Sequence, residues 1–416
     1  MSISPVCTQG FPKRGDSFAN EDQAMKIGFH TDAFNSSYFS FEKCLEWAQK
    51  NQVHYIECGL IDGVSWIHGL GYQPHVALYE DPVLLRRKMA SYGLQFSQVD
   101  AAYPLSGKDG PIRGVPYVMK SIQWAHLIGC PNVDTTDGMH QPEGLTDEQA
   151  MELMKRSYGQ IVEVAEAHGI VVNIEPHGYF TTKPDMMSRM LDFCNSKCLR
   201  MNMDTGNTFI AGQDPVAFLT RFIGKVSHVH IKDVSESLAA SVRGNQTGIA
   251  VSQCAIGDGV NADNIRKCLA LLRDHGYDGV LSMECEGQGG PMIEKSLAWL
   301  RGAVTEHPDF ADESFGKLSR LGKAIIVHAN DHADALPETL QALRGRNSYL
   351  SDAEIAWLEA YVEYLGKGKT IALAPSTIVA YDKTLLARGE GTVLLYLDSH
   401  VDFEGPAGLK RLGIRQ

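Results

Sequence analysis

The chain has 416 residues, 44% of them hydrophobic and 21% charged, which is enough apolar material for one large domain with an appendage or for two domains. Its net charge of -12 argues against a nucleic-acid or anionic-membrane partner, because either would need a basic face. No apolar run approaches the roughly 20 residues needed to span a bilayer, and the nine cysteines form no CxxC pair, so reduced thiols in a cytoplasmic protein are expected.

Residues 1–25 are Gly, Ser, Pro and charge without the apolar stretch of a signal peptide, and read as a loose N-terminal arm. From residue 26 onward, short apolar runs alternate with amphipathic stretches. Strands are predicted at KIGFHTD (26–32), HYIECG (54–59), QFSQVDA (95–101), NVDTTD (132–137), IVVNIEPHG (170–178), LRMNMDTGN (199–207), VSHVHIKD (226–233) and GVLSMECEG (279–287). Helical segments fill the gaps. In the clearest, Thr146 can cap, Asp147 and Glu148 suit the positive helix start, and Gly169 can end it. Another places Ile265, Cys268, Leu269 and Leu272 at helical spacing before Gly276. Eight strand–helix units between residues 26 and about 302 match a (β/α)8 TIM barrel, which typically takes ~250 residues. The rival, a doubly wound sheet, lacks a GxGxxG after its first strand.

Residues 303–416 read as an extra C-terminal α/β segment. EHPDFADESFGK (306–317) resembles a linker, SDAEIAWLEAYVEYLG (351–366) an amphipathic helix capped by Ser351, and KAIIVHAND (323–331), TIALAP (370–375) and TVLLYLDSHVDF (392–403) strands. A small cap, a homo-oligomer contact and a docking site for a partner subunit all fit this pattern.

In a barrel of this kind catalytic groups sit at the C-terminal ends of the strands. Reading those ends in order gives His30 and Asp32, Glu57, Asp100, Asp134 and Asp137, Glu175 and His177, Asp204 and Asn207, His228 and His230, and Glu284 and Glu286. The last four strands bring Glu175, Asp204, His230 and Glu284 to one height. Three buried carboxylates without a cation repel and raise one another's pKa, a cost that a divalent metal removes. An oxygen-rich set with one imidazole suits Mn²⁺ or Mg²⁺, with Zn²⁺, Co²⁺ or Fe²⁺ as alternatives. Each member has a plainer reading. Asp204 could cap the next helix, Glu286 could replace Glu284, and His177 could be a solvated rim residue. His228 lies deeper than His230 on the same side and reads as a hydrogen-bonded core residue, while Asp32, Asp100 and Asp137 read as structural residues or as supports behind the ligands rather than as ligands.

IEPHG, MDTGN, HVHIKD and MECEG resemble the four metal-site segments of the xylose isomerase-like sugar isomerases and epimerases. That group includes ketose 3-epimerases, hydroxypyruvate isomerase and inosose dehydratase, members acting on 3-oxo-glycosides as 4-epimerases or deglycosidases, and more distantly endonuclease IV. The resemblance covers roughly residues 26–302 and implies one Mn²⁺-type site on Glu175, Asp204, His230 and Glu284. The ketose 3-epimerase pattern has a histidine where this chain has Asn207, a glutamate at Thr181 and an arginine at Glu236.

The expected chemistry is proton removal from the carbon next to a sugar carbonyl, with Glu175, Glu284 or His177 as the acid/base groups. Return of the proton gives an isomerase or epimerase, and loss of a β-substituent gives a dehydratase or deglycosidase. A non-catalytic metal-binding scaffold is the reading from another class. The long loop over residues 59–82 offers Trp66, His68, Tyr72 and His75 to a sugar ring, or packs on its own aromatics; Trp66, His68, Asn207 and Lys232 form the expected substrate-binding set. With no phosphate cradle in the sequence, the expected partner is an unphosphorylated small-molecule sugar.

Overall fold

The computed structural model describes residues 25–34, 40–62, 74–244, 247–287, 289–304, 311–344, 350–387 and 391–414. Eight parallel strands build the barrel: β1 (Lys26–His30), β2 (Tyr55–Ile61), β3 (Gln95–Asp100), β4 (Asn132–Thr135), β5 (Val171–Ile174), β6 (Leu199–Asp204), β7 (Val226–Ile231) and β8 (Val280–Met283). Each pairs with the next, and β1 closes the ring by pairing with both β2 and β8. The two-residue strand Val76–Ala77 adds to β2 on the outside. Gly28 shows how tight the closure is. A Cβ there would meet Val280 Cγ1 at 2.8 Å and Tyr55 Cβ at 2.9 Å, so only glycine lets β1 sit between its two neighbours.

The helices form where their signals stand. Thr146 and Gln149 make a reciprocal capping box at the start of Asp147–His168, and Gly169 ends it with φ +66°. The apolar faces of these helices and the outward sides of the strands bury Phe29, Ile56, Val133, Ile174, Met203 and Leu281 in one continuous core. Helical crossovers between parallel strands leave every strand's C-terminal end on one face of the barrel, and the strand-end acids and histidines collect there. Among the described residues, no helix is long and apolar enough to cross a membrane.

The C-terminal segment is α/β, but its elements differ from the sequence expectation. Residues 311–317 of the stretch expected as a linker and the run KAIIVHAND form one helix, Ala311–Asp331, while residues 306–310 lie outside the described residues. Leu318, Leu321, Ala324, Ile325 and Ala329 are all buried at three- and four-residue spacing, and this longer period outweighs the β-branched run Ile325–Val327. TIALAP is a turn with one isolated bridge, Ala335 to Thr370. The expected helix 351–366 stops at Tyr361, and Val362–Tyr364 becomes strand β9, which pairs with β10 (Ile378–Asp382). TVLLYLDSHVDF is a hairpin of β11 (Thr392–Tyr396) and β12 (Val401–Glu404), turning through Ser399 at φ +71°. These four strands make an antiparallel sheet in the order β9-β10-β11-β12.

Candidate metal centre

At the mouth of the barrel, four side chains from four consecutive strands converge. Glu175 follows β5, and its N–H still bonds to Thr135 O at 3.2 Å, so the residue keeps the height of the strand end. Asp204 ends β6, His230 lies in β7, and Glu284 follows β8 with its N–H on Ile231 O at 3.0 Å. One ligand atom from each of Glu175, Asp204, His230 and Glu284 lies within 4.8 Å of all the others. The sequence left open whether Asp204 caps a helix or faces a ligand, and its two oxygens divide the tasks. Oδ1 accepts from the N–H groups of Gly206 and Asn207, both at 2.7 Å, and caps the helix Thr205–Ile210. Oδ2 points at the centre, is buried and accepts no hydrogen bond.

The surroundings fix each donor. Glu175 Oε2 bonds His177 Nδ1 at 2.7 Å, and Oε1 accepts from Asn207 Nδ2 at 3.0 Å. His230 Nε2 donates to Glu57 Oε2 at 2.9 Å, while Nδ1 lies 3.2 Å from Glu175 Oε1, 3.5 Å from Glu284 Oε2 and 3.8 Å from Asp204 Oδ2. Lys232 is buried, ion-paired with Glu286, and 3.9 Å from Glu284 Oε2. Glu286 also accepts from Ser252 N–H at 2.5 Å. Between the two acids of MECEG, it is therefore Glu284 that joins the other three donors.

Electrostatics point the same way. Burial pushes the Glu284 carboxyl well above its ordinary range, against the pull of Lys232 and His230. Burial also works to raise Glu175, but the His177 and His230 imidazoles outweigh it and hold this carboxyl well below the usual range. Burial opposes a charge on His230, yet Glu57 and Glu284 raise its pKa well above normal. Three carboxylates, one imidazole and two buried oxygens without a hydrogen bond, Asp204 Oδ2 and Glu284 Oε2, are the donor chemistry of a divalent cation site. Two further groupings, Glu57 with His228 and His230, and His30 with Asp32 and Glu284, meet the same distance limit but share His230 or Glu284 with the first.

Of the expected substrate contacts, Asn207 and Lys232 line the cavity over the centre, together with His177, His30 and Asp100. Trp66 and His68, with Tyr72, lie outside the described residues. Thr181 donates to Asp137 at 2.8 Å and organises the loop after β5, and Glu236 is exposed in the first turn of the helix Glu236–Val242. His228 is a core residue, bonded to Asn202 Oδ1 and Ser97 Oγ at 3.2 Å each. Sequence reasoning gave no role to Glu57, which is fully buried, accepts from Gln98 Nε2 at 2.8 Å and carries the bond to His230. Its signal was an acid inside the otherwise apolar run YIECGLI. The segment Gly248–Ser252 was also missed. It is tied down by Gly248 N–H on His177 O at 3.0 Å and by Ser252 N–H on Glu286, and it carries Ile249, Ala250 and Val251 over the cavity.

The model of the xylose isomerase-like TIM barrel family matches residues 45–303. The chain belongs to this family. An inosose dehydratase of Serratia proteamaculans (strain 568) is 25% identical over 178 residues, 39% of this chain and 58% of that protein, so the chain spans less than two thirds of that relative's length. Among solved structures, a D-tagatose 3-epimerase-like protein superposes with a TM-score of 0.53 at 19% identity, covering 67% of this chain and 97% of that one. The IolI protein with a bound zinc atom gives 0.53 at 14%, covering 69% and 100%. At these identities the two structures bear on the fold alone. The curated relatives are named inosose dehydratase, so this family includes enzymes.

Proposed function

We propose that this protein is a divalent-metal-dependent carbohydrate isomerase or epimerase, which moves the proton on the carbon beside a carbonyl of an unphosphorylated keto-sugar by way of an enediolate. The observation that carries the reading is the convergence of Glu175, Asp204, His230 and Glu284 with two oxygens left unbonded, beside an imidazole bonded to one of those acids. The four residues would hold the ion, with Mn²⁺ the preferred occupant and Mg²⁺, Zn²⁺ or Co²⁺ as alternatives. When bound, such an ion supplies Lewis-acid polarisation of the carbonyl oxygen, worth several kcal/mol at the transition state.

The chain's own residues supply the proton transfers. Glu175 and Glu284 stand three strands apart around an eight-stranded ring, so a sugar between them presents different faces to the two carboxylates. One can take the α-proton while the other side returns it. His177, held on Glu175 Oε2, keeps its ring in one orientation and provides an acid/base group, whose pKa burial works to lower but the Glu175 carboxylate raises. Asn207 and Lys232 offer donors to substrate oxygens from the cavity wall, and Trp66 and His68 are proposed as further contacts to the sugar ring. Ile249, Ala250 and Val251 keep water from one side of the cavity. Residues 26–302 would be the catalytic unit of a cytoplasmic enzyme, and residues 303–416 its extension.

A second reading is supported by two observations. The relatives named inosose dehydratase suggest metal-assisted elimination, and Asn207 occupies the position beside Glu175 where the ketose 3-epimerase pattern has a histidine. In that case the proton leaves to one carboxylate and His177 protonates the departing β-oxygen of an inosose or a 3-oxo-glycoside. One experiment tests both. A panel of ketoses, inososes and 3-oxo-glucosides is incubated with the Mn²⁺-loaded protein in D2O and followed by NMR. Deuterium at the α-carbon of recovered sugar is expected for isomerisation or epimerisation, and an unsaturated product or released aglycone for elimination. Neither outcome on any carbonyl sugar would overturn the proposal.

A further inference from the structure

On the outer side of the barrel, where the C-terminal segment packs against it, lies a cavity of about 960 Å³. That volume is at the upper end for small-molecule sites, and such sites concentrate where packed units meet. The barrel contributes the helix Pro215–Phe222 and the end of Glu236–Val242, and the C-terminal segment contributes Asp352–Tyr361 and Lys383. The helix Thr205–Ile210 separates it from the metal centre: Asp204 caps one end, and Arg243 binds the carbonyls of Phe209 and Gln213 at the other.

Three acids, Asp185, Asp214 and Glu359, and three bases, Arg221, Arg243 and Lys383, line this cavity, and among the described residues only one ion pair joins them. Arg221 is ion-paired with Asp185 at 2.8 Å. Asp214 is engaged too, accepting from Tyr361 Oη at 2.5 Å and from the N–H groups of Val216 and Ala217. Glu359 accepts from Gln341 Nε2 at 2.6 Å. Arg243 and Lys383, by contrast, make no ion pair among the described residues. Their hydrogen bonds go to backbone carbonyls, those of Phe209 and Gln213 for Arg243 and that of Glu359 at 2.9 Å for Lys383. Burial depresses the pKa of both, and the nearby acids do not reverse it. Asp214 lies near Arg243, and Glu363, Asp382 and Glu359 lie near Lys383, but none forms an ion pair with them, so both cations keep donor capacity for an incoming anion. The Arg243 guanidinium is held with its centre 3.8 Å from the Phe209 ring centroid, so its plane is fixed. Across the cavity, Trp357 stacks on Tyr361 at 4.7 Å and 16° and presents a flat apolar wall, beside the small side chains of Ala353 and Ala356.

We propose that this cavity is a second ligand site, binding a small organic anion whose carboxylate or phosphate is held by Arg243 and Lys383 and whose flat apolar body lies on Trp357. The site is independent of the chemistry at the metal centre.

Isothermal titration calorimetry on the full-length protein tests it, with phenyl phosphate, benzoate and inorganic phosphate as probes. One equivalent of an aromatic anion should bind, more tightly than inorganic phosphate. The better of phenyl phosphate and benzoate identifies the anionic group. Arg243→Gln and Lys383→Gln should each weaken binding by about tenfold, as loss of a charge-assisted hydrogen bond does. Ala356→Trp, at an exposed position, should abolish binding with both cations in place. Asp204→Asn should leave it unchanged. No heat from any probe at millimolar concentration, equal binding by the three cavity variants, or loss of binding in Asp204→Asn would each overturn the proposal, the last by assigning the anion to the metal centre.

Discussion

Glu57 Oε2 accepts the Nε2 proton of His230 at 2.9 Å, and His230 thereby turns Nδ1 toward Glu175, Asp204 and Glu284. A carboxylate behind a histidine fixes the tautomer and strengthens the ring as a donor on its far side. Glu57→Gln should therefore weaken divalent-metal affinity by about 10- to 100-fold, the usual effect of losing such a partner, without disturbing the fold. Competition against a chelating dye measures it. Unchanged affinity would mean that His230 does not bind metal through Nδ1.

Asp204→Asn separates the two tasks of that side chain. Asparagine is as good a helix cap as aspartate, so the Thr205–Ile210 helix should persist while one anionic donor is lost. The purified parent should carry one divalent ion per chain by elemental analysis, and the variant a small fraction of that. A variant with full metal content would remove Asp204 from the centre.

His177→Ala should keep its metal and lose about 10²- to 10⁴-fold in turnover, the range for a general acid/base. The comparison of interest is with His177→Gln, which restores a donor to Glu175 Oε2 but cannot exchange a proton. If glutamine rescues the rate, the imidazole only positions Glu175.

His228 gives a prediction in pH. Burial depresses its pKa from 6.5 to about 4. Below pH 6.5 the unfolded chain takes up a proton that the folded core refuses, so stability falls as pH drops toward 4, by at most ~1.4 kcal/mol per pH unit, and the effect is absent above 6.5. His228→Gln removes this loss. Urea midpoints of variant and parent should converge in the variant's favour as pH falls from 6.5 to 4, whatever their offset at neutral pH. Parallel curves would mean that His228 titrates normally in the folded state.

Truncation after Val304 leaves all eight barrel strands and the helix Pro291–Ala303 intact. The shortened chain should still bind one metal ion. Metal-free or insoluble product would show that the packing of Leu318, Leu358 and Tyr361 against the barrel completes its core.

The barrel was legible because each strand carries its own signal, an apolar run ending in an acid or histidine, and eight repeats leave one topology. The convergence of Glu175, Asp204, His230 and Glu284 followed from position, since a strand end fixes height and direction together. Glu57 was not legible as the partner of His230. The register slips between Ile56 and Glu57 against β3 and between Met201 and Asn202 against β7, and alternation counted along a single strand misses such slips. The C-terminal segment failed for a different reason. Ile325–Val327 looks like a strand in a short window, and only the spacing back to Leu318 reveals the helix, while Val362–Tyr364 leaves its helix to take partners sixteen or more residues away.

The closed ring has a consequence for self-association. Because β1 bonds both β2 and β8, none of the eight ring strands has an unpaired edge, and apart from the two-residue strand Val76–Ala77 the open edges of the described structure belong to the tail sheet, at Val362–Tyr364 and Val401–Glu404. The second of these exposes Phe403 but places Asp402 and Glu404 along the same edge, so two copies pairing there would bring like charges together. Strand-to-strand aggregation of the native protein should thus begin at the tail and be promoted by replacing Asp402 and Glu404 with neutral residues, with the barrel carried along intact.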